Sequence, residues 1–265
     1  MKRELCVKEP LLQKPYGGGN CAIFRRIACV GDSLASGEIE VVRGEERHYL
    51  DLYEYSWGQF IARTIGAKVY NFSRGGMSAK EFIEGWAEQN GCYDEDKKCQ
   101  AYIIALGVND LLNMGQKIGD VGDIGSDADT FARYFSDVVT RYKKIEPHAK
   151  FFFVTMPKEA SDDENRADIK KRHAEILYAI SEVMQNCYVI DLNEYAPLYD
   201  CDFKTKNYYN GHMNPSGYML TAEYLISGVH SIVATYPREF NDVALIGTEY
   251  HYLVENTGEN ENEKV

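Results

Sequence analysis

The chain has no apolar run approaching the roughly 18 residues that a membrane-spanning helix needs. It has no Cys-x-x-Cys pair, which leaves no basis for a zinc site. Basic residues are in short supply: 29 Lys and Arg against 41 Asp and Glu give a formal net charge of −12. Phosphate binding needs clustered Lys and Arg, so a nucleic-acid partner is excluded, and an anionic membrane surface is disfavoured. A signal peptide's apolar core is also missing, because Lys2, Arg3, Glu4, Lys8 and Glu9 load the first ten residues with charge. The expectation is a cytoplasmic protein with no membrane insertion. The seven cysteines are scattered, and an odd count in a reducing compartment argues against a disulfide framework. Cys92 and Cys99 flank the charged stretch 93–98 and are the one pair for which a disulfide stays open.

What remains is ordinary for a folded domain. Of 265 residues, 45% are hydrophobic and 26% charged, enough to bury roughly three quarters of the unfolded surface without a metal or cross-link. Residues 1–24, with Gly17-Gly18-Gly19, have no periodicity and read as an irregular lead-in. From 25 to 236, short β-rich runs alternate with longer amphipathic ones. Strands are expected at 26–30, 68–72, 102–106, 150–155 and 188–192. Most are continuously apolar, the mark of strands covered on both faces. Helices are expected at 57–65, 78–89, 129–145, 161–184 and 215–236. In the third, Phe131, Tyr134, Phe135, Val138, Val139 and Tyr142 form one stripe, with Asp127 and Asp129 as capping candidates. The last opens on Asn214-Pro215, an N-cap followed by proline at the first helical position. This alternation predicts an open, doubly wound parallel sheet of about five strands with helices on both faces. Residues 237–265 form a C-terminal extension with a polar end; within it, 243–246 and 250–254 are compatible with strand or helix.

The reactive residue types lie where a doubly wound sheet places its ligands, beyond the carboxyl ends of the strands. The first expected strand runs into Gly31-Asp32-Ser33-Leu34, the second into Asn71-Phe72-Ser73-Arg74-Gly75-Gly76, and the third into Gly107-Val108-Asn109-Asp110. Asn210-Gly211-His212-Met213 precedes the last helix. A serine lifted to a sheet edge becomes a nucleophile when a base removes its proton and donors meet the oxyanion. Asp110 reads as structural and Arg74 as a solvated loop residue. His48, His148, His173, His230 and His251 have no supporting context and are expected at the surface. Tyr208, Tyr209 and Tyr218 flank His212 and read as core or rim packing, with sugar stacking as an alternative.

These four blocks resemble the GDSL-type SGNH hydrolases, esterases and lipases with a flavodoxin-like sheet. The resemblance covers residues 26–235. It implies Ser33 as nucleophile and His212 as general base and acid. It implies an oxyanion hole made of the Ser33 N–H, the Gly76 N–H (Gly75 being the alternative) and the Asn109 side-chain amide. No metal or organic cofactor is implied. One position departs from the family pattern. The acid usually found three residues before the histidine is Tyr209 here, and a neutral phenol supplies no full negative charge. A backbone carbonyl could then hold the imidazole, Tyr209 itself, Asn210, Asp200 or Asp202 could orient it, or the site could be that of a weakened enzyme. The function expected is a serine ester hydrolase that removes a small acyl group from a carbohydrate or another polar small-molecule ester. The alternatives are a lysophospholipase, thioesterase or acyltransferase on the same site, or a non-catalytic binding module that kept the fold. The sequence leaves the oligomeric state open.

Overall fold

A computed structural model describes residues 15–250. The central sheet is built from β1 (Arg26–Gly31), β4 (Lys68–Ser73), β5 (Ala101–Ala105), β6 (Lys150–Val154) and β7 (Cys187–Ile190). All four pairings are parallel and the spatial order is β4-β1-β5-β6-β7. Counting only these strands, the order is 2-1-3-4-5, the flavodoxin-like winding. The five strands fall where the apolar runs placed them.

The continuous apolar runs are explained by the two layers that cover the sheet. Successive strand residues point to opposite faces. Ile27 and Cys29 of β1, Ile103 of β5 and Phe152 of β6 join the core beneath α2 (Trp57–Ile65) and α9 (Pro215–Thr235). Ala28, Val30, Ile104, Phe151 and Phe153 join the opposite core, beneath α5 (Phe131–Ile145) and α6 (Glu164–Val183). Both faces being buried, there is no polar alternation to see.

Helix α9 starts as read, with the Asn214 side chain accepting from Gly217 N (3.0 Å) and Pro215 behind it. Helix α5 is capped by Thr130, which accepts from Arg133 N, rather than by Asp127 or Asp129. Asp129 instead pairs with Lys80 at 2.9 Å. The helix expected at 78–89 is broken into α3 (Ala79–Glu81), a π-turn (Phe82–Trp86) and α4 (Ala87–Gln89), with Gly85 at φ 148° interrupting the ladder. Residues 16–23 are not featureless: Tyr16–Ile23 winds in 3-10 turns and buries Gly18 and Cys21. Residues 243–245 form a 3-10 turn; the segment 251–254 lies outside the described residues. The cysteines described are free, Cys92 and Cys99 included. Among the described residues no helix is long and apolar enough to cross a membrane.

Several short elements were not expected. A one-turn helix, α1 (Ser33–Ser36), leads into an antiparallel hairpin of β2 (Glu38–Arg43) and β3 (Glu46–Asp51). It is tied back to the turn before it, since Ser36 Oγ donates to Asp51 (2.6 Å) and Leu52 N donates to Gly37 O (3.1 Å). The remaining short helices, α7 (Leu192–Tyr195) and α8 (Cys201–Asn207), lead to a two-residue ribbon, β8 (Tyr208–Tyr209) with β9 (His212–Met213).

Candidate active site

The sheet order reverses between β1 and β5, and ligands of open α/β sheets bind at that switch point. A cavity lies there. It has a volume of about 520 Å³, and Ser33, Gly76, Asn109 and His212 all line it. Four segments far apart in sequence thus converge on one space.

Each is held by local physics. Ser33 opens α1 immediately after β1, and Asp32 caps that turn by accepting from Leu34 N (3.0 Å). Gly76 sits at φ 73°, a left-handed conformation that a side chain would strain. Nothing lies within 4 Å of where its Cβ would be, so the backbone angle rather than crowding calls for glycine. Asn109 follows Gly107, which combines φ 129° with a close approach to His173. A Cβ at Gly107 would stand 2.6 Å from His173 Nε2.

His173 itself overturns a surface expectation. It is fully buried in α6 against Phe131, and its Nε2 lies 3.1 Å from Leu106 O. Burial pulls its pKa down to about 4, so the ring is neutral and acts as a packed polar strut under the Asn109 loop. His48 is exposed, while His148 and His230 are half-buried; His230 Nδ1 accepts from Asn20 N (2.9 Å). His251 lies outside the described residues.

The Asn109 amide is already engaged. Its Nδ2 donates to Met77 O (3.1 Å) and more loosely to Asp32 Oδ2 (3.4 Å), and its Oδ1 accepts from Asn113 Nδ2 (2.8 Å). Asp110 beside it is fully buried and accepts from Ala79 N (2.8 Å), a structural tie between the third strand-end loop and α3. Burial raises Asp110 to about 6 and Asp32 to about 7, the latter also pushed up by the neighbouring Asp110 charge. Arg74 pairs with Glu81 at 2.6 Å.

The surroundings of His212 differ most from what the sequence suggested. Tyr209 is half-exposed and is only its backbone ladder partner in the β8–β9 ribbon. Asn210 turns at φ 51°, and its Nδ2 donates to Glu40 O (3.4 Å). Asp200 caps α8 by accepting from Phe203 N (2.8 Å), and Asp202 pairs with Lys206 at 2.6 Å. The carboxylates that do reach the imidazole come from the unexpected hairpin. Glu38 Oε1 lies 3.0 Å from Nε2, and Glu40 Oε2 lies 3.5 Å from Nδ1. Tyr49, the cross-strand partner of Glu40, presents its ring edge-on to the imidazole with centroids 5.6 Å apart. Strand periodicity explains the pair: residues 38 and 40 are two apart and share one face of β2. Burial raises Glu38 above the usual glutamate range, only partly offset by the His212 charge. Glu40 moves the other way. Burial by itself opposes its charge, yet the Gly211 N–H, His212 and Arg47 together hold it below the usual range.

The cavity lining mixes apolar side chains such as Leu106, Met156 and Leu192 with a charged cluster. Lys170, 2% exposed, bridges Glu159 (3.0 Å) and Asp162 (2.7 Å), and Lys204 also bonds Glu159. Lys170, Glu159, Lys204 and Arg166 contribute to the lining, beside Tyr208 and Tyr199.

A flavodoxin-like sheet with a serine turn, a glycine loop, an asparagine loop and a late histidine around one switch-point cavity is the architecture of an SGNH-type hydrolase. The comparisons agree. Residues 29–220 match the model of the GDSL-like Lipase/Acylhydrolase family, and the chain belongs to that family. No curated protein sequence matches it. Among solved structures it is similar to a G-D-S-L family protein from Desulfitobacterium hafniense, at 17% identity, TM-score 0.53, with 77% of this chain and 99% of that one covered. It is also similar to a family two carbohydrate esterase from Clostridium thermocellum in complex with cellohexaose, at 14% identity, TM-score 0.58, with 81% and 65% covered. A third is the acetyl xylan esterase AlAXEase, at 19% identity, TM-score 0.51, with 77% and 99% covered. At these identities the likeness is one of fold.

Proposed function

We propose that the chain is a serine ester hydrolase that removes a small acyl group from a carbohydrate or similar polar ester. The observation that carries this reading is the convergence of Ser33, Gly76, Asn109 and His212 on one cavity. Ser33 Oγ attacks the ester carbonyl carbon while His212 Nε2 takes the hydroxyl proton. The negative charge that develops on the carbonyl oxygen meets the N–H groups of Ser33 and Gly76 and one N–H of Asn109. The Asn109 contact to Asp32, the longer of its two, is the one released for this. His212 then passes the proton to the departing alcohol oxygen, leaving an acyl-Ser33 ester. Water, deprotonated by the same imidazole, hydrolyses that ester and restores the serine. For the cycle to begin, Nε2 must exchange Glu38 for the Ser33 hydroxyl.

The ion-paired Lys170 and Glu159 in the lining support a hydroxyl-rich substrate over a long acyl chain, which would leave them facing hydrocarbon. Two of the similar structures, a carbohydrate esterase and an acetyl xylan esterase, point the same way. Rapid acid quench during turnover of p-nitrophenyl acetate, followed by peptide mass analysis, tests the reading. An acetyl group on the peptide that contains Ser33 is expected. No acetylation and no hydrolysis above buffer would reduce the chain to a binding module on the same fold. Ester formation with an added alcohol, in place of free acid, would make it an acyltransferase.

Asn109→Ala is expected to lower kcat about a hundredfold with KM nearly unchanged, the usual result of deleting one oxyanion donor. Steady-state kinetics on p-nitrophenyl acetate check it. Unchanged kcat would remove Asn109 from the oxyanion hole.

A further inference from the structure

His212 has two nitrogens in two environments. Nε2 faces Glu38 at the cavity lining. Nδ1 is buried, makes no made hydrogen bond among the described residues, and has the Glu40 carboxylate as its charged neighbour. With Nδ1 buried, the substrate chemistry falls to Nε2 and a group that orients the ring acts at Nδ1. Glu40 is built for a fixed place there. It is 2% exposed on β2; its Oε1 pairs with Arg47 of β3 at 2.7 Å, and its Oε2 accepts from Gly211 N at 2.8 Å. Glycine at 211 permits this approach, since a Cβ would stand 2.8 Å from that same oxygen. Asn210 Nδ2 reaches the Glu40 carbonyl, so the loop holding His212 is fastened to the hairpin at two points.

We propose that Glu40 is the positioning carboxylate of this site. It reaches His212 from the hairpin that follows the nucleophile turn and takes the role that the family pattern gives to an acid three residues before the histidine. This inference rests on the ester-hydrolase reading for its kinetic consequences, but not for its geometry. The 3.5 Å separation is longer than a made hydrogen bond, and such contacts tighten when substrate and imidazolium charge arrive. With Nδ1–H donating to Glu40, Nε2 carries the lone pair that accepts the Ser33 proton, and the imidazolium that results is stabilised. The other charged or titratable groups around the ring are Glu38 at Nε2 and Tyr49 at its edge; Arg47 backs Glu40, and Asp51 stands across the hairpin from Glu38.

The test compares Glu40→Gln, Glu40→Asp and Glu38→Gln with wild type, with Ser33→Ala as the control for the nucleophile. Glu40→Gln is expected to lower kcat about a hundredfold and change KM by less than about threefold, since at 3.5 Å the lost contact is weaker than in a tight triad. The acidic limb of the kcat/KM profile should move down by about one pH unit, because an imidazolium without its carboxylate loses its proton sooner. Glu40→Asp should recover part of the rate. NMR titration of the His212 ring should show the same downward movement in Glu40→Gln, and this readout needs no turnover. If Ser33→Ala is inactive but Glu40→Gln keeps wild-type rate and limb, the inference falls and the hydrolase reading stands. If Glu38→Gln moves the limb and Glu40→Gln does not, Glu38 holds the role. If wild type itself is inactive, the hydrolase reading falls, and the NMR titration alone decides whether Glu40 holds His212. Should Glu40→Gln fail to fold, Glu40→Asp decides: a carboxylate drawn back by one methylene must lower kcat and move the His212 titration, and wild-type values for both overturn the inference.

Discussion

Alanine at Ser33 lowers kcat for p-nitrophenyl acetate by about 10⁴- to 10⁶-fold while the protein unfolds at nearly the same denaturant concentration. The size follows from the proposed covalent route: without the hydroxyl there is no acyl-enzyme, and only the oxyanion donors and binding remain. The stability half of the expectation follows from where Ser33 is tied. Its structural bond runs through its carbonyl oxygen, which accepts from Gly37 N and lies 3.1 Å from Ser36 Oγ. Alanine keeps that carbonyl, so the change in stability should stay within about 0.5 kcal/mol. Ser36 is not a substitute nucleophile, because it is 2% exposed and its Oγ is committed to Asp51. Urea unfolding and steady-state kinetics on the same preparations check both halves. Equal rates from Ser33→Ala and wild type would end the serine mechanism.

The fold was legible because its strands are covered on both faces. A run such as Lys150–Val154 buries every residue, so its apolar continuity is itself the signal. The hairpin was illegible for the opposite reason. Every residue of β3 is exposed, and β2 mixes buried Glu40 with exposed Val42, so neither shows the apolar alternation that marks a half-buried strand. Yet Glu38-Ile39-Glu40-Val41-Val42-Arg43-Gly44 carries β-branched residues running into a glycine, and Gly44 turns at φ 64°. That pattern was the available hint, and with it two acids on one strand face.

The site was legible as far as the strand ends carried it. Ser33, Gly76 and Asn109 each follow a strand of the parallel sheet, and topology alone gathers strand ends at one edge. The carboxylates nearest His212 come from a hairpin that follows the nucleophile turn, so counting three residues back along the chain led to Tyr209 and missed Glu38 and Glu40. His173 was misread because α6 is charged through much of its length. Its spacing to Ile176, Leu177 and Ile180, all buried, places it on the apolar stripe of that helix.

Asp32→Asn should reshape the dependence of stability on pH. Asp32 is 3% exposed, and burial raises its pKa from 3.8 to about 7. A carboxyl whose folded pKa exceeds its unfolded one binds protons more tightly in the native state, so its contribution is fully present below pH 4 and is lost as pH rises to 7. About three pH units at 1.36 kcal/mol each amount to about 4 kcal/mol lost by neutral pH. The wild-type curve alone hides this. Asp110, raised to about 6, adds to the loss, whereas His173, lowered to about 4, gives stability back as pH rises toward 6.5. Subtracting wild type from Asp32→Asn cancels what the two proteins share. Asparagine keeps the acceptor for Leu34 N but turns a donor toward Asn109 Nδ2, a cost of about 1 kcal/mol that does not vary with pH. The variant should therefore be slightly less stable than wild type near pH 4 and more stable above pH 6. The gap should widen by about 3 kcal/mol between pH 5 and pH 8. Urea unfolding at half-unit pH steps measures it. A difference that stays flat from pH 5 to pH 8 would mean that Asp32 is ionised throughout, and that the short turn behind Ser33 carries a full negative charge at the base of the cavity.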